Sequence, residues 1–347
     1  MDNLKGFEGF KEMVEMSWKS HLNSDPIGWL LEGEPWVRYN TLKDLLEKEE
    51  ENSEVKEAKK AMLSNPQIRD LIAELKKWPP YPLKRHNDAK HPLYKLSTLA
   101  DFGLKTYDLR MNEVIEKVLS HQSYEGAFQI EILIPTHFGG TGKPEETWMI
   151  CDAPTTLYSL LAMGFREHEG VQRAVNHLAS LIKDNGFPCT SDSKLKVRGP
   201  GRKDDPCPYA NLLALKALAQ IPEMKKSKTV HKGIEALLWH WEHQRERKLY
   251  LFGIGTDFRK LKYPFVWYDI LHFADVLSRF DFLRNDERLK EIVDLIISKQ
   301  DEDGRFTPES VWMAFKDWEF GQKKKPSRWM TFLVARILKR MENSKDL

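Results

Sequence analysis

Six segments of the chain resemble one another and recur every 54 to 61 residues. Each carries a proline at or near its start and continues as an apolar helix of about three turns. Proline is tolerated in a first helical turn because the N–H group there has no partner. The pattern predicts six buried helices that start near residues 36, 93, 153, 207, 266 and 327.

A second set of segments is more polar and carries its apolar residues on one side only. This periodicity is typical of amphipathic helices that cover a core. The set comprises residues 10–22, 65–77, 114–122, 170–186, 232–244 and 287–300.

The alternation of the two sets predicts an all-α fold, an (α/α)6 barrel or toroid of six inner and six outer helices. An open array of repeats needs polar terminal repeats, whereas the first and last apolar segments here are as apolar as the middle ones. Closure into a ring accommodates both ends. No Pro/Gly/Ser-rich tract divides the chain, so we expect residues 1–347 to form a single domain.

The composition limits the functional class. No apolar run is long enough to span a membrane, and the N-terminal residues lack the apolar region of a secretory signal. Three cysteines do not make a disulfide framework, so we expect a reduced, cytoplasmic protein. A net charge of only +2 argues against a general nucleic-acid binder. Peripheral contact with a membrane stays open.

A third element follows several of the amphipathic helices. It ends a helix, often with glutamine, then turns and continues with glycine and an aromatic residue, as in 121–128 (HQSYEGAF), 182–188 (IKDNGFP) and 299–306 (KQDEDGRF). Glycine just past a helix end is the usual left-handed cap. We expect the aromatic residue to pack between neighbouring helices, which is a structural role.

The Gln-x-x-x-Gly-x-Phe turns resemble the repeat shared by terpenoid (squalene-type) cyclases and protein prenyltransferase β subunits. The resemblance covers most of the chain, and the opening 29–46 (WLLEGEPWVRYNTLKDLL) is similar to uncharacterised members of that group. It implies an α/α toroid whose central cavity binds isoprenoid chains.

Two catalytic signatures of this superfamily are informative. Class II terpenoid cyclases use Asp-x-Asp-Asp, and the nearest stretches, 203–206 (KDDP) and 301–304 (DEDG), do not match it. Prenyltransferases use Asp-x-Cys at the start of an inner helix, with a histidine at the start of the next, to bind zinc. Asp205 and Cys207 match the first half, but the next helix start has no histidine and His272 lies one turn deeper.

The resemblance therefore implies Asp205 and Cys207 as metal ligands, with Cys151 or Cys189 in place of the missing histidine. The three cysteines lack the short-spaced pair that structural zinc sites show. Whether zinc, magnesium or no metal is bound stays open from the sequence. A cysteine at a helix start is also commonly a small buried apolar residue.

The loops before the predicted inner helices are long and should open on one face of the barrel. They hold all three cysteines, three histidines (His86, His91 and His137) and several Lys/Arg clusters. Helix N-termini and basic side chains together favour anions. Arg198 and Arg202 also correspond to diphosphate-holding residues of prenyltransferases, with Arg198 displaced by one position. The sequence predicts a basic rim for an anionic head group, with Arg198, Arg202 and Lys203 as ligands; the alternative is an ordinary charged surface.

Side chains in the first turns of the inner helices are candidates to face the cavity. They are Asp152, Tyr158, Tyr209, Asn211, Trp267, Tyr268, Asp269, His272 and Trp329. The aromatic faces of Tyr209, Trp267, Tyr268 and Trp329 would stabilise a cationic intermediate. Asp152 and Asp269 are candidate general acids, and Cys207 a candidate nucleophile or ligand at a helix N-terminus. The predicted catalytic set is Asp152, Asp205, Cys207, Asp269 and His272, against the alternative of helix caps and core packing.

Three functions are compatible with these features. The first is an isoprenoid-binding protein of prenyltransferase or terpenoid-cyclase type, with a small hydrophobic ligand. The second is a glycan-active (α/α)6-barrel enzyme, for which no carboxylate pair can be assigned. The third is a non-catalytic binding module on the same fold, and the sequence leaves open whether the protein is an enzyme.

Overall fold

The computed structural model describes residues 17–78, 81–109, 111–197, 205–246 and 251–342. These residues are mostly helical, as predicted. Their α-helices are α1 (Ile27–Leu31), α2 (Pro35–Asn40), α3 (Ser53–Ser64), α4 (Pro66–Leu75), α5 (Pro92–Asp101), α6 (Met111–Ser120), α7 (Ala153–Ala162), α8 (Glu169–Ser180), α9 (Pro208–Leu218), α10 (Pro222–Lys225), α11 (Lys228–Glu242), α12 (Ile270–Leu277), α13 (Glu287–Ile297) and α14 (Arg328–Met341). None of them combines the length and apolar character needed to cross a bilayer.

The six predicted apolar helices are α2, α5, α7, α9, α12 and α14, called the core helices below. Five of them start within one residue of the predicted position. α2 continues as a π-helical turn over Thr41–Leu45. α12 starts at Ile270 rather than near 266, because Asp269 caps it and the preceding residues form a loop. Every residue of α9 and α12 is buried, as an all-round apolar helix requires.

The core helices follow one another in space as they do along the chain. α5 contacts α7, α7 contacts α9, α9 contacts α12, α12 contacts α14, and α14 contacts α2. The amphipathic helices pack against them, with α4 against α5, α8 against α7, α11 against α9, and α13 against α12 and α14. Of the predicted helix at 10–22, only residues 17–22 are described, where Trp18–His21 form a 3-10 turn.

The glycine–aromatic turns connect the two sets of helices. Gly186 has a φ of +113°, and a Cβ atom there would lie 2.5 Å from Cβ of Ala236, so the position requires glycine. The neighbouring Phe187 is fully buried. The Gln122 amide donates to the Gly170 carbonyl at the start of α8, which ties one repeat to the next. The aromatic residues of these turns therefore lie between helices, as the sequence predicts.

A small antiparallel hairpin interrupts the helical pattern. β1 (Ile130–Leu133) pairs with β2 (Pro144–Thr147), with Ile130 opposite Thr147. A short bridge joins Leu83 in parallel to Ile132. The sequence pattern predicted a loop here, yet the alternating buried residues of β1 follow the two-residue period of a strand.

Candidate functional site

A cavity of about 480 Å³ lies where the loops before α5, α7, α9 and α12 meet. Its volume falls within the range of small-molecule sites. Most of its wall is apolar and comes partly from the hairpin. The lining residues are Leu83, Lys84, Arg85, His86, Ile132, Leu133, Ile134, Pro135, Phe138, Met149, Cys151, Cys189, Val197, Cys207, Tyr209 and Trp267.

A histidine, a thiol and a carboxylate meet in the wall of this cavity. Nδ1 of His86 lies 3.0 and 3.1 Å from the two carboxylate oxygens of Asp152. Nε2 of the same ring lies 3.6 Å from Sγ of Cys151. Burial disfavours the charged imidazole, but the neighbouring Asp152 outweighs it and raises the pKa of His86. Asp152 is buried, whereas about a third of the His86 side chain is accessible.

The three cysteines, Cys151, Cys189 and Cys207, line the same cavity. A hydrogen bond with the Cys189 thiol and burial both raise the pKa of Cys151 well above its usual range. Cys207 is the N-cap of α9, where its Sγ atom accepts a hydrogen bond from the N–H of Ala210 at 3.5 Å. Ser327 holds the same position in α14. Cysteine is not among the preferred N-cap residues, so capping alone does not explain a cysteine at position 207.

Two of the predicted aromatic ligands form one wall. The rings of Tyr209 and Trp267 lie 4.3 Å apart, and the Trp267 ring is nearly parallel to His86 at 6.5 Å. The Tyr209 hydroxyl donates to the Val266 carbonyl at 2.7 Å, which fixes the ring. Nδ1 of His272 lies 3.1 Å from the Trp267 carbonyl and supports the wall from behind.

The basic residues seen in the cavity wall are not the ones predicted as ligands. Lys84 and Arg85 line the cavity. Arg198, Arg202 and Lys203 lie outside the described residues. The described residues on either side of that segment are Val197, which lines this cavity, and Asp205, which does not.

Asp269 and His272, predicted to face the cavity, lie in the core instead. Asp269 accepts a hydrogen bond from the backbone N–H of His272 at 2.9 Å, and burial raises its pKa to about 7. The His272 ring stacks on Phe265, and burial lowers its pKa to about 3. Neither side chain lines the cavity, so both have the capping and packing roles that the sequence left as alternatives.

The remaining candidates have other partners. Tyr268 packs against Phe252 at 5.4 Å, and Trp329 packs edge-on against Phe102 at 5.0 Å. Tyr158 donates a hydrogen bond to a buried aspartate of α5. None of the three lines the described cavity.

Asn211 and Asp205 also lie elsewhere. Asn211 bonds to the backbone of the neighbouring turn. Asp205 lines a second cavity of about 620 Å³, formed with α11 residues such as Lys232 and Trp239. Asp205 and Cys207 therefore line different cavities.

His86 and the hairpin wall are the residues that the sequence analysis did not assign to the site. His86 was noted only as one of several rim histidines, and Ile132 and Phe138 fell in an unassigned loop. The signal available was the adjacent pair Cys151–Asp152 directly before a buried helix. Chemically, the arrangement provides a proton-holding imidazole, soft sulfur ligands and an apolar chamber.

Comparison with known proteins gives weak likenesses only. No family model and no curated protein matches the chain. Among solved structures, a variant of the type II terpene cyclase MstE from Scytonema, in complex with geranylgeranyl dihydroxybenzoate, aligns with a TM-score of 0.40 and 11% identity, covering 89% of this chain and 87% of that one. The apo form of MstE aligns with a TM-score of 0.39 and 11% identity, covering 88% and 87%.

Proposed function

We propose that this protein binds a small hydrophobic ligand of the isoprenoid class, with an anionic head group, in the cavity before α5, α7, α9 and α12. The observation that carries the proposal is the cavity itself, about 480 Å³ with a mainly apolar wall and two basic residues, Lys84 and Arg85. Pockets of this kind bury most of an apolar ligand and orient it with few polar groups.

The proposed architecture is a closed α/α toroid formed by a single domain. The order of contacts from α5 through α7, α9, α12 and α14 to α2 supports a ring of core helices. The described start and end of the chain also meet, since the N–H of Trp18 donates to Glu342 at 3.2 Å. In such a ring the cavity lies at the N-terminal ends of the core helices, whose partial positive charges favour an anion.

The head group is proposed to bind between Lys84, Arg85 and the segment that carries Arg198, Arg202 and Lys203. The support is positional, because Val197, directly before that segment, lines the cavity. A diphosphate offers acceptors that suit arginine forks. Aromatic Tyr209 and Trp267 would contact the chain, or a cationic intermediate if the protein catalyses prenyl transfer or cyclisation.

Binding of diphosphate-bearing and neutral isoprenoids by calorimetry tests the proposal. Ile132→Trp should fill the cavity and abolish binding of both, whereas Ile132→Val should retain it. Replacing Lys84 and Arg85 by Gln should weaken only the diphosphate ligand and flatten its salt dependence. The control is Lys260→Gln, which removes an exposed cation that pairs with Asp257.

Extraction of the purified protein followed by mass spectrometry separates the alternatives. A co-purifying isoprenoid supports the proposal. A bound sugar would favour a glycan-active barrel. The proposal fails if no isoprenoid binds, or if isoprenoids bind and Ile132→Trp does not reduce their affinity.

A further inference from the structure

We propose that His86, Cys151 and Cys189 form a zinc site in the wall of the cavity, with Asp152 as the outer carboxylate that orients His86. This site differs from the Asp205–Cys207 pair that the sequence suggested. It is independent of the proposed isoprenoid ligand, because it can be tested on the protein alone.

The distances fit zinc coordination. Zinc binds sulfur at about 2.3 Å and histidine nitrogen at about 2.0–2.1 Å, so two such ligands at a tetrahedral angle stand about 3.6 Å apart. Sγ of Cys151 and Nε2 of His86 are 3.6 Å apart. The ligand atoms of His86, Cys151 and Asp152 all lie within 4.8 Å of one another. His86 and Cys151 are thus close enough to share one ion, with the Asp152 carboxylate beside them.

A second thiol, Cys189, lies next to Cys151 and lines the same cavity. Cys189 is hydrogen-bonded to Cys151 and lies close enough to His86 to influence its ring electrostatically. Two thiols and an imidazole form a soft ligand set that selects zinc over magnesium or calcium. The three proposed ligands and Cys207 all line the cavity. A zinc site with three protein ligands and an open position is the arrangement found in catalytic centres.

Asp152 is placed to serve the histidine. It occupies the N-cap position of α7 but makes no capping hydrogen bond. Its carboxylate instead accepts from Nδ1 of His86, which leaves Nε2 directed at Cys151. Metal-bound histidines almost always have such a partner on the other ring nitrogen, because it fixes the tautomer and the ring orientation. Asp152 is thus buried at a helix N-cap position but bonds to a histidine and not to its own helix. This observation most strongly distinguishes the cluster from ordinary packing.

The same atoms could be read as a thiol–imidazole–carboxylate nucleophile. Reactive thiols lie in electropositive, partly exposed places, which lower their pKa. Cys151 is 5% exposed and contacts another thiol and a carboxylate. Cys151 is therefore not placed as a reactive thiol, and zinc binding would displace the protons of both thiols into solvent.

The test uses the full chain, stripped of metal by a chelator and titrated with Co²⁺ and then Zn²⁺. We expect one ion per chain, thiolate-to-cobalt charge-transfer absorption, and proton release on binding. Cys151→Ser, Cys189→Ser and His86→Ala should each lose most of the affinity and weaken or abolish the absorption. Asp152→Asn keeps the inner ligands and should weaken binding by about 10- to 100-fold. Asp205→Asn is the control and should bind normally.

Circular dichroism of every variant separates metal loss from unfolding. Should a serine variant fail to fold, competition of wild-type protein and Asp152→Asn against a coloured chelator still decides the matter. Absence of the charge-transfer absorption in folded wild-type protein would overturn the proposal. So would equal metal affinity in Cys151→Ser and wild type. An Asp205→Asn variant that lost the metal would also overturn it, in favour of the other ligand pair.

Discussion

Nζ of Lys216 lies 3.4 Å from Oδ1 of Asp101, and both side chains are buried between core helices. The ammonium also lies over the rings of Tyr158 and Phe265, at 4.2 and 4.8 Å. Burial lowers the pKa of Lys216, while Asp101 opposes that effect. The pair therefore links α5 to α9 through an ion pair that water does not screen.

The ion pair belongs to a larger network at equivalent positions of the core helices. Asp275 of α12 is fully buried, and three arginines hold its pKa well below the usual range against the effect of burial. Arg336 bridges Asp275, at 3.1 Å, and Asp44, at 3.3 Å. Each core helix contributes at least one member, since Asp44, Asp101, Tyr158, Lys216, Asp275 and Arg336 recur at the repeat interval. A buried network of this kind can fix how successive repeats align with one another.

Lys216→Met should destabilise the protein by about 3–5 kcal/mol, because it leaves Asp101 buried without its cation. Lys232→Met is the matched control, since Lys232 pairs with the exposed Asp184 at 2.8 Å and should cost less than about 1 kcal/mol. Urea unfolding measures both. Equal free energies of unfolding for the two variants would show that the buried pair is not needed.

The sequence predicted the helices well because their signals are local. Apolar runs and prolines place α5, α7 and α9 within one residue of their observed starts. The pairing of His86 with Asp152 was not predictable, because 66 residues separate them and only the fold brings their loops together. The sequence did place all three cysteines in loops on one face, and all three line the cavity, although their long spacing is not that of a structural zinc site.

The sequence also could not predict which side chains at the start of a core helix face the cavity and which face the core. Asp152 and Asp269 both precede a core helix, yet one contacts a cavity histidine and the other caps its own helix. The difference depends on which loop lies opposite, and that is a tertiary property. The hairpin was missed for a similar reason, since a four-residue strand carries little pattern of its own.

Asn211→Leu should destabilise the protein by about 3 kcal/mol or more. Its amide accepts from the N–H of Phe187 at 2.9 Å and donates to the carbonyls of Phe187 and Cys207 at 3.0 and 2.8 Å. Each buried backbone group left unpaired costs about 1–3 kcal/mol. Thr331→Val removes only the single bond to the N–H of Phe306 in the equivalent turn, so it should cost less than half as much. A reversed order in chemical denaturation would contradict this role.

His272→Phe should make the free energy of unfolding depend less on pH under acidic conditions. Burial lowers the pKa of His272 to about 3, whereas an unfolded histidine titrates near 6.5. The folded state therefore binds fewer protons, so this group's stability is present above pH 6.5 and is lost as the pH falls towards 3. The variant should show a slope smaller by about one proton between those values. His231→Phe, at an exposed site, should keep the wild-type slope.

Asp269→Asn should have the opposite pH signature. Burial raises the pKa of Asp269 to about 7, while an unfolded aspartate titrates near 3.9. The folded state binds more protons in this window, so the contribution of Asp269 to stability falls as the pH rises from about 4 to 7. Asparagine caps a helix as well as aspartate and stays neutral. The variant should match wild type near pH 4 and exceed it above pH 7, by at most about 4 kcal/mol.

Asp286→Asn is the control for the direction of the pH dependence that we predict for Asp269→Asn. Asp286 also caps a helix, α13, but its hydrogen bond to Arg288 lowers its pKa. Its contribution is present above the unfolded pKa of about 3.9 and is lost as the pH falls. Asp286→Asn should therefore be less stable than wild type at pH 7, where Asp269→Asn is more stable. Urea unfolding at pH 4, 5.5, 7 and 8 separates the two, and parallel profiles for both variants would show that burial does not neutralise Asp269.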